Sequence, residues 1–108
     1  MNTVSTPMVT VAVPSALAGY AGGRTHIELA LKPSDSDSDS AHMPLDAVFD
    51  QLAADVPALE RRIRDERGAI RGHVNVYLDG VDIRELGGTA ARVGAGATVQ
   101  ILAAISGG

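Results

Sequence analysis

The sequence predicts an α+β fold in which a mixed sheet of four to five strands has one main helix packed across it. Three observations lead to this prediction. Two segments near the start alternate apolar and polar residues, as half-buried strands do. A segment near the middle repeats apolar residues at helical spacing. The chain then returns to strand patterns and ends on its most sustained apolar run.

The first two strands form a predicted hairpin. Residues 8–13 alternate valines with smaller or polar residues, and Pro14 ends this strand or marks a sheet edge. A glycine-rich turn over residues 18–24 leads into a second alternating strand, residues 26–31, whose branched apolar side chains face inward.

The segment after the hairpin is predicted to be a mobile surface loop over residues 33–43. Residues 34–40 alternate serine with aspartate and have no apolar side chain to bury. A calcium loop of the EF-hand type is the alternative interpretation. It requires a glycine at the sixth position, where the chain has Ser40, and a glutamate at the twelfth, where it has Asp46.

The main helix is predicted from Leu45 to Val56, with Pro44 in the first helical position and Asp46 in the first turn. One apolar stripe runs along it at helical spacing and consists of Leu45, Val48, Phe49, Leu52, Ala53 and Val56. Pro57 ends this helix.

A shorter helix is predicted from Ala58 to about Arg64, with Glu60 and Arg64 spaced for a surface ion pair. Five of the nine cationic residues lie between positions 61 and 71, and they are Arg61, Arg62, Arg64, Arg67 and Arg71. Acidic residues interleave with them and no aromatic residue accompanies them, so a solvated face is favoured over a nucleic-acid surface. A contact with an acidic protein partner remains an alternative.

The second half of the chain is predicted to be mostly strands. Residues 73–78 alternate again, the Asp79-Gly80 pair indicates a tight turn, and residues 81–83 return as a short strand. The last strand covers residues 98–105. The first and last strands are the most apolar and should lie side by side and parallel, because the hairpin reverses the chain and the helical crossover restores its direction. This is the β-grasp topology of ubiquitin.

Composition limits the class of protein. The chain of 108 residues is expected to be a single domain with a loose lead-in over residues 1–7. Its net charge of -4 argues against nucleic-acid and anionic-membrane partners, and its lack of cysteine excludes disulfides and catalytic thiols. No signal-peptide pattern and no run long enough to span a bilayer are present, so we expect a cytoplasmic protein.

The C-terminus is the most unusual feature. The apolar strand runs directly into Ser106-Gly107-Gly108, which we expect to be an exposed tail. Glycine lacks a Cβ, so a Gly-Gly thread is thin enough to enter a narrow channel in another protein. Its terminal carboxylate, with a pKa of roughly 3.5, is ionised at neutral pH and can attack a nucleotide phosphate. The structural alternative is a frayed chain end.

This order of elements, with the terminal Gly-Gly, resembles the ubiquitin-like sulfur carriers. The likeness covers nearly the whole chain and is most specific in residues 73–84, in Gly87-Gly88 and in residues 99–108. It is strongest for the cysteine-pathway carriers and for the small subunit of molybdopterin synthase, and it also extends to the thiamine-pathway carrier.

The resemblance implies a carrier on which other enzymes act, rather than an enzyme. An adenylyltransferase and sulfurtransferase of the ubiquitin-activating type would use ATP and magnesium to adenylate Gly108 and replace AMP with sulfur. The resulting thiocarboxylate would donate its sulfur to an acceptor synthase. The chain itself would bind no cofactor or metal stably, and the sulfur would be carried covalently at the C-terminus.

The resemblance also implies roles for the residues near the end. Gly107 and Ser106 would serve tail recognition. Partner contacts would come from Ile105, Ala104 and Leu102. The receiving pathway stays open between cysteine, molybdopterin, thiamine and a specialised metabolite.

Two other functions stay open. The chain is alternatively a ubiquitin-like modifier conjugated through Gly108, or a non-covalent β-grasp binding module. The histidines His26, His42 and His73 share no ligand spacing and are interpreted as surface or edge residues. Asp82 and Arg84 are expected to pair or cap locally.

Overall fold

A five-stranded mixed sheet organises the structure, a computed structural model that describes residues 7–31 and 42–103. The strands and α-helices are β1 (Met8–Ala12), α1 (Ser15–Ala18), β2 (His26–Ala30), β3 (His42–Pro44), α2 (Leu45–Asp55), α3 (Pro57–Ile63), β4 (Val74–Leu78), β5 (Val81–Asp82), β6 (Arg92–Gly94) and β7 (Thr98–Ala103). Short 3₁₀ turns cover Gly19–Ala21, Ile83–Leu86 and Gly88–Ala90.

The strand order is β2-β1-β7-β4-β5, and only β1 and β7 run parallel within this sheet. Val11 lies opposite Val99 in the parallel pair. The predicted α+β class, the five-strand count and the parallel pairing of the first and last strands are confirmed. The connection that makes β7 parallel to β1 contains both longer helices, as a crossover of this kind requires.

The core lies between one face of the sheet and the helix α2. Strands β1, β2 and β7 bury alternate residues. Helix α2 buries Leu45, Val48, Phe49 and Leu52 of the predicted stripe, whereas Ala53 is only half-buried and Val56 follows the helix. The largest fully buried side chains are Phe49, Leu45, Leu52, Leu59, Ile63 and Ile101. Val56 leaves helical geometry with ψ of 67° and Pro57 starts α3, which confirms the predicted break between the two helices. Pro44 lies just before α2, one position earlier than predicted.

A second, two-stranded sheet was not predicted. Strand β3 pairs with β6 so that Met43 lies opposite Val93, both buried. His42 and Met43 had been assigned to the mobile loop, and that part of the assignment is wrong. Residues 33–41 of the predicted loop lie outside the described residues. An alternation of three residues is too short to predict a strand from sequence. The pairing of β3 with β6 also joins distant parts of the chain, which no local pattern shows.

A short helix also replaces part of the predicted glycine-rich turn. The segment from Ser15 to Ala21 forms α1 and a 3₁₀ turn, and it buries Leu17 and Ala21 against the core. The turn itself is confined to Gly22-Gly23, where both residues have positive φ. Within the described residues, no helix has the length and apolar character needed to span a membrane.

The tight turn between β4 and β5 is confirmed at Asp79 and Gly80, with φ of 49° and 86°. These angles match the mirror-image turns that fit the twist of a hairpin. Asp79 also anchors the last strand, because its Oδ1 accepts from the backbone N–H of Thr98 at 2.9 Å. The Asp79 N–H donates in turn to the Thr98 carbonyl at 2.9 Å. One aspartate therefore closes the hairpin and fixes the start of β7.

Arg64 is the main correction among the arginines, because it is buried rather than solvated. Its residue is only 9% exposed, and its guanidinium lies 5.5 Å from the centre of the Phe49 ring. It forms ion pairs with Glu60, with Asp50 at 2.9 Å and with Asp46 at 3.5 Å. Burial lowers the pKa of Arg64, but hydrogen bonds to Glu60 and Asp50 outweigh this and raise it above its usual value.

The Arg64 cluster joins the two helices. Asp46 and Asp50 belong to α2, whereas Glu60 belongs to α3, so one guanidinium holds both. The predicted pair between Glu60 and Arg64 exists, but it is turned inward. The helical spacing of Glu60 and Arg64 predicts the ion pair. Tertiary packing decides which side of α3 faces α2, and the spacing does not show it.

We expect Arg64→Ala to lower the free energy of unfolding by roughly 2–3 kcal/mol, because it leaves clustered carboxylates without their shared cation. Urea denaturation of wild type and variant measures the change. The matched control is Arg67→Ala, an exposed arginine in the following loop, which should cost less than about 0.5 kcal/mol. Equal effects of the two substitutions would contradict a joining role for Arg64.

Candidate functional site

The candidate site is the end of β7, from which the terminal residues continue. Ala104, Ile105, Ser106, Gly107 and Gly108 lie outside the described residues, and their predicted roles stay predictions. The last described pair of the sheet joins Ala103 to Val74, the first residue of β4. Sheet pairing in the described chain thus ends at the point where the terminal segment starts.

Leu102 lies on the face of the sheet that α2 leaves uncovered. Strand β7 alternates buried and exposed residues, and Leu102 is 40% exposed between the buried Ile101 and the half-buried Ala103. Across the sheet it lies opposite Asn75. An exposed leucine next to the start of the tail is what the predicted partner contact requires.

A groove of about 410 Å³ follows the other edge of β4. Strand β5 pairs with β4 at Tyr77 and Leu78, so within the described chain the start of β4 has no neighbouring strand on this side. The apolar wall of the groove is made by Ala69, Ile70, Val74, Val76 and Ile83. Its polar rim is made by Arg71, Asn75, Asp82, Arg84 and Thr89.

Asp82 and Arg84 form the local pair that the sequence predicted. Arg84 Nη2 donates to Asp82 Oδ2 at 2.6 Å, and the Arg84 backbone N–H donates to Oδ1 at 2.9 Å. These two hydrogen bonds, the side-chain one first, lower the pKa of Asp82 to about 2. The same carboxylate raises the pKa of Arg84. The pair caps the 3₁₀ turn that follows β5 and so shapes one rim of the groove.

The remaining polar candidates do not converge. His26 and His73 are exposed on β2 and just before β4, and His42 lies on β3. Across residues 7–31 and 42–103, no three histidine, aspartate or glutamate side chains gather to hold a metal ion.

The surface arginines were only partly read from sequence. Arg61, Arg62, Arg67 and Arg71 are exposed, as predicted for a solvated face. Their arrangement around recesses near the start of β4 was not predicted. The sequence shows only that several arginines occur within the eleven residues 61–71. That clustering does not show which guanidinium groups share a recess.

Comparison with known proteins bears on the whole chain. Residues 27–108 match the model of the ThiS family. The sulfur carrier protein CysO of Mycobacterium tuberculosis is 31% identical over 102 residues, which cover 93% of this chain and 98% of that protein.

Solved structures share the architecture. The crystal structure of the Amycolatopsis orientalis BexX/CysO complex includes a chain that matches with a TM-score of 0.71 and 27% identity, covering 93% of this chain and 99% of that chain. SAMP1 from Haloferax volcanii matches with a TM-score of 0.71 at 23% identity, over 94% of this chain and 99% of its own. The second likeness supports the β-grasp fold alone.

The Asp82–Arg84 pair gives a pH prediction. The pKa of Asp82 is about 2 in the folded chain, below the value of about 3.9 expected when unfolded. The pair therefore stabilises the fold above about pH 4, and this contribution disappears as the pH falls toward 2. Carbon-13 NMR titration of the Asp82 carboxyl measures its pKa directly.

Replacing the arginine tests the cause. In Arg84→Ala the pKa of Asp82 should rise toward the unfolded value, incompletely because the backbone N–H of residue 84 still donates. Arg67→Ala, which removes a distant arginine, should leave it unchanged. An Asp82 pKa near 4 in the wild-type chain would contradict the assigned pairing.

Proposed function

Since the chain belongs to the ThiS family and is a sulfur carrier of the ThiS and CysO type, we propose that the C-terminal carboxylate of Gly108 is adenylated and converted to a thiocarboxylate. The observation that carries this proposal is the extent of the family match, which runs from residue 27 through the terminal Gly-Gly. The described fold supports it, because β7, a central strand of the sheet, leads directly to the C-terminal segment.

The chemistry takes place in two displacements. A carboxylate oxygen of Gly108 attacks the α-phosphorus of ATP. The phosphoanhydride bond between the α- and β-phosphates breaks, and pyrophosphate leaves. Hydrosulfide then attacks the acyl carbon, the carbon–oxygen bond to AMP breaks, and AMP departs. Magnesium ATP belongs to the activating enzyme, and the carrier contributes the reacting carboxylate and the body that presents it.

Glycine at the last two positions suits this role. An enzyme channel that admits a thread without Cβ atoms excludes chains with ordinary side chains. Ser106 would mark the point where the thread begins. The folded body then acts as the handle by which a partner recognises this carrier.

A partner enzyme is the expected recipient of the sulfur. CysO of Amycolatopsis orientalis has been crystallised in a complex with BexX, so a relative of this chain is bound by another protein. We propose that an adenylyltransferase of the ubiquitin-activating type and an acceptor synthase both use the end of β7. Leu102, exposed on the uncovered face of the sheet, would be the first apolar contact outside the tail, followed by Ala104 and Ile105.

Intact-protein mass spectrometry tests the central step. When the chain is incubated with its activating enzyme, magnesium ATP and sulfide, we expect a mass increase equal to exchange of one oxygen for one sulfur. Deleting Gly108, or appending one alanine after it, should abolish the change. Persistence of the plain carboxylate under conditions that convert another carrier would overturn the proposal.

The width of the thread is tested by Gly107→Ala. We expect thiocarboxylate formation to slow by roughly tenfold or more, because a misplacement of about 1 Å at a reacting group costs up to about a hundredfold. Gly19→Ala is the matched control, since Gly19 has helical φ of -61° and a Cβ there meets no atom within 4 Å. Equal rates of thiocarboxylate formation for wild type and Gly107→Ala would show that the enzyme channel does not select for a tail without a Cβ at this position.

The same assay separates a carrier from a modifier. A modifier would form adducts of higher mass on lysines that survive reducing agent and reverse only with an isopeptidase. A carrier gives a thiocarboxylate that an acceptor consumes. A non-covalent binding module would keep its activity after deletion of Gly108.

The role of Leu102 is tested by Leu102→Asp. Because the side chain is 40% exposed, we expect the fold to persist and the rate of activation at low carrier concentration to fall by about tenfold, as at an apolar interface contact. Gln100→Asp, an exposed position on the same strand and face, is the control. A similar loss at both positions would point to a general charge effect instead.

A further inference from the structure

Three arginine side chains converge on one recess beside α3. The recess has a volume of about 250 Å³ and is lined by Tyr20, Ala58, Arg61, Arg62 and Arg71. Every charged side chain in this lining is a cation. Guanidinium groups gathered in this way repel one another, and an anion placed between them would relieve the repulsion.

Two of the three arginine side chains, those of Arg62 and Arg71, are held in place before any ligand arrives. The Arg62 guanidinium lies 4.4 Å from the centre of the Tyr20 ring, within range for a cation–π interaction. Arg71 Nε donates to the carbonyl oxygen of Arg61 at 2.8 Å, which leaves its terminal nitrogens free of that bond. Side chains ordered in advance lose less entropy when they bind a partner.

Nearby carboxylates are occupied elsewhere. The buried Arg64 binds Glu60 and Asp50. Asp65 attracts Arg71, but its Oδ1 accepts from the backbone N–H groups of Arg67 at 2.8 Å and of Ala69 at 3.0 Å. Among the described residues, neither Arg61 nor Arg62 forms an ion pair with a carboxylate.

A larger recess next to it differs in charge. Its volume is about 620 Å³, and it shares Arg61 and Arg71 with the smaller recess. Carboxylates also line it, and they belong to Asp50, Glu60, Asp65 and Glu66. Because carboxylates line the larger recess, it is less suitable for an external anion than the smaller recess, whose lining has none.

The arginine recess lies close to the start of the tail. The Arg71 carbonyl accepts from the Val74 N–H at 2.9 Å, and Val74 pairs with Ala103. The Cα atoms at the two ends of a turn are less than about 7 Å apart, and those of paired residues on neighbouring strands are about 5 Å apart. The Cα atom of Arg71 is therefore within about 12 Å of the Cα atom of Ala103. A protein interface of about 800 Å² on each partner reaches about 16 Å from its centre.

We propose that the recess formed by Arg61, Arg62 and Arg71 receives acidic side chains of the activating enzyme that acts on the C-terminal tail. This inference rests on the proposed function and adds a second contact to it, on the helical side of the tail. An enzyme surface centred on the end of β7 covers the recess, and carboxylates match its fork-like donors. The net charge of -4 makes a nucleic acid the less suitable anion.

The double charge reversal Arg61→Glu/Arg62→Glu tests the contact. With the activating enzyme, magnesium ATP and sulfide, we expect kcat/KM for thiocarboxylate formation to fall by roughly tenfold, chiefly through a higher KM. The tail is unchanged, so kcat at saturating carrier should stay close to that of the wild type. Raising the sodium chloride concentration should shrink the difference, because salt screens exposed charges.

Arg67→Glu is the matched control. It reverses an arginine of the same region that does not line the recess, so its effect should stay below about twofold. The neutral double variant Arg61→Gln/Arg62→Gln should fall between wild type and the reversal. Circular dichroism and urea midpoints confirm that each variant is folded.

The outcomes separate this inference from the function beneath it. If the wild-type chain is converted and the double reversal is converted equally well, the recess contact is wrong and the carrier function stands. If the wild-type chain is never converted, both fall. Unchanged kinetics together with loss of binding to a single-stranded RNA probe would overturn the inference in favour of a nucleic-acid surface.

Discussion

The position of β7 between β1 and β4 is the constraint on which the rest of the structure depends. The strand pairs in parallel with β1 on one side and antiparallel with β4 on the other, and it buries Val99 and Ile101 completely or nearly so. A central strand held on both edges cannot slip by one residue without moving its buried side chains into solvent. The direction of β7 up to Ala103, the last described residue, is therefore fixed by the core.

This arrangement separates stability from chemistry. The buried residues and the Arg64 cluster hold two helices on one face of the sheet, whereas the carboxylate proposed to react lies at the end of the chain. A carrier built in this way can change its partner surfaces while the reacting end stays the same, because the two parts share only the end of β7.

Arginines that are close in sequence differ in burial and therefore in the charges they meet. Arg64 and its neighbours Arg61, Arg62 and Arg67 fall within seven residues, yet one lies between the helices and the others face solvent. The buried cation pairs with Glu60, Asp50 and Asp46. The internal ion cluster joins α2 and α3, whereas the recess of cations is lined by residues of α3 together with Tyr20 and Arg71.

The sequence by itself determined the features that depend on neighbouring residues. Alternation placed β1, β2, β4 and β7, helical spacing placed α2, and Asp79-Gly80 placed a hairpin turn, because each of these patterns lies within a few positions. The resemblance to sulfur carriers was also readable, and the family match agrees with it. Only the tertiary structure decided the pairing of Met43 with Val93, the burial of Arg64 and the meeting of Arg62 with Tyr20. Each of these depends on which distant segments the core brings together, and no local pattern records that.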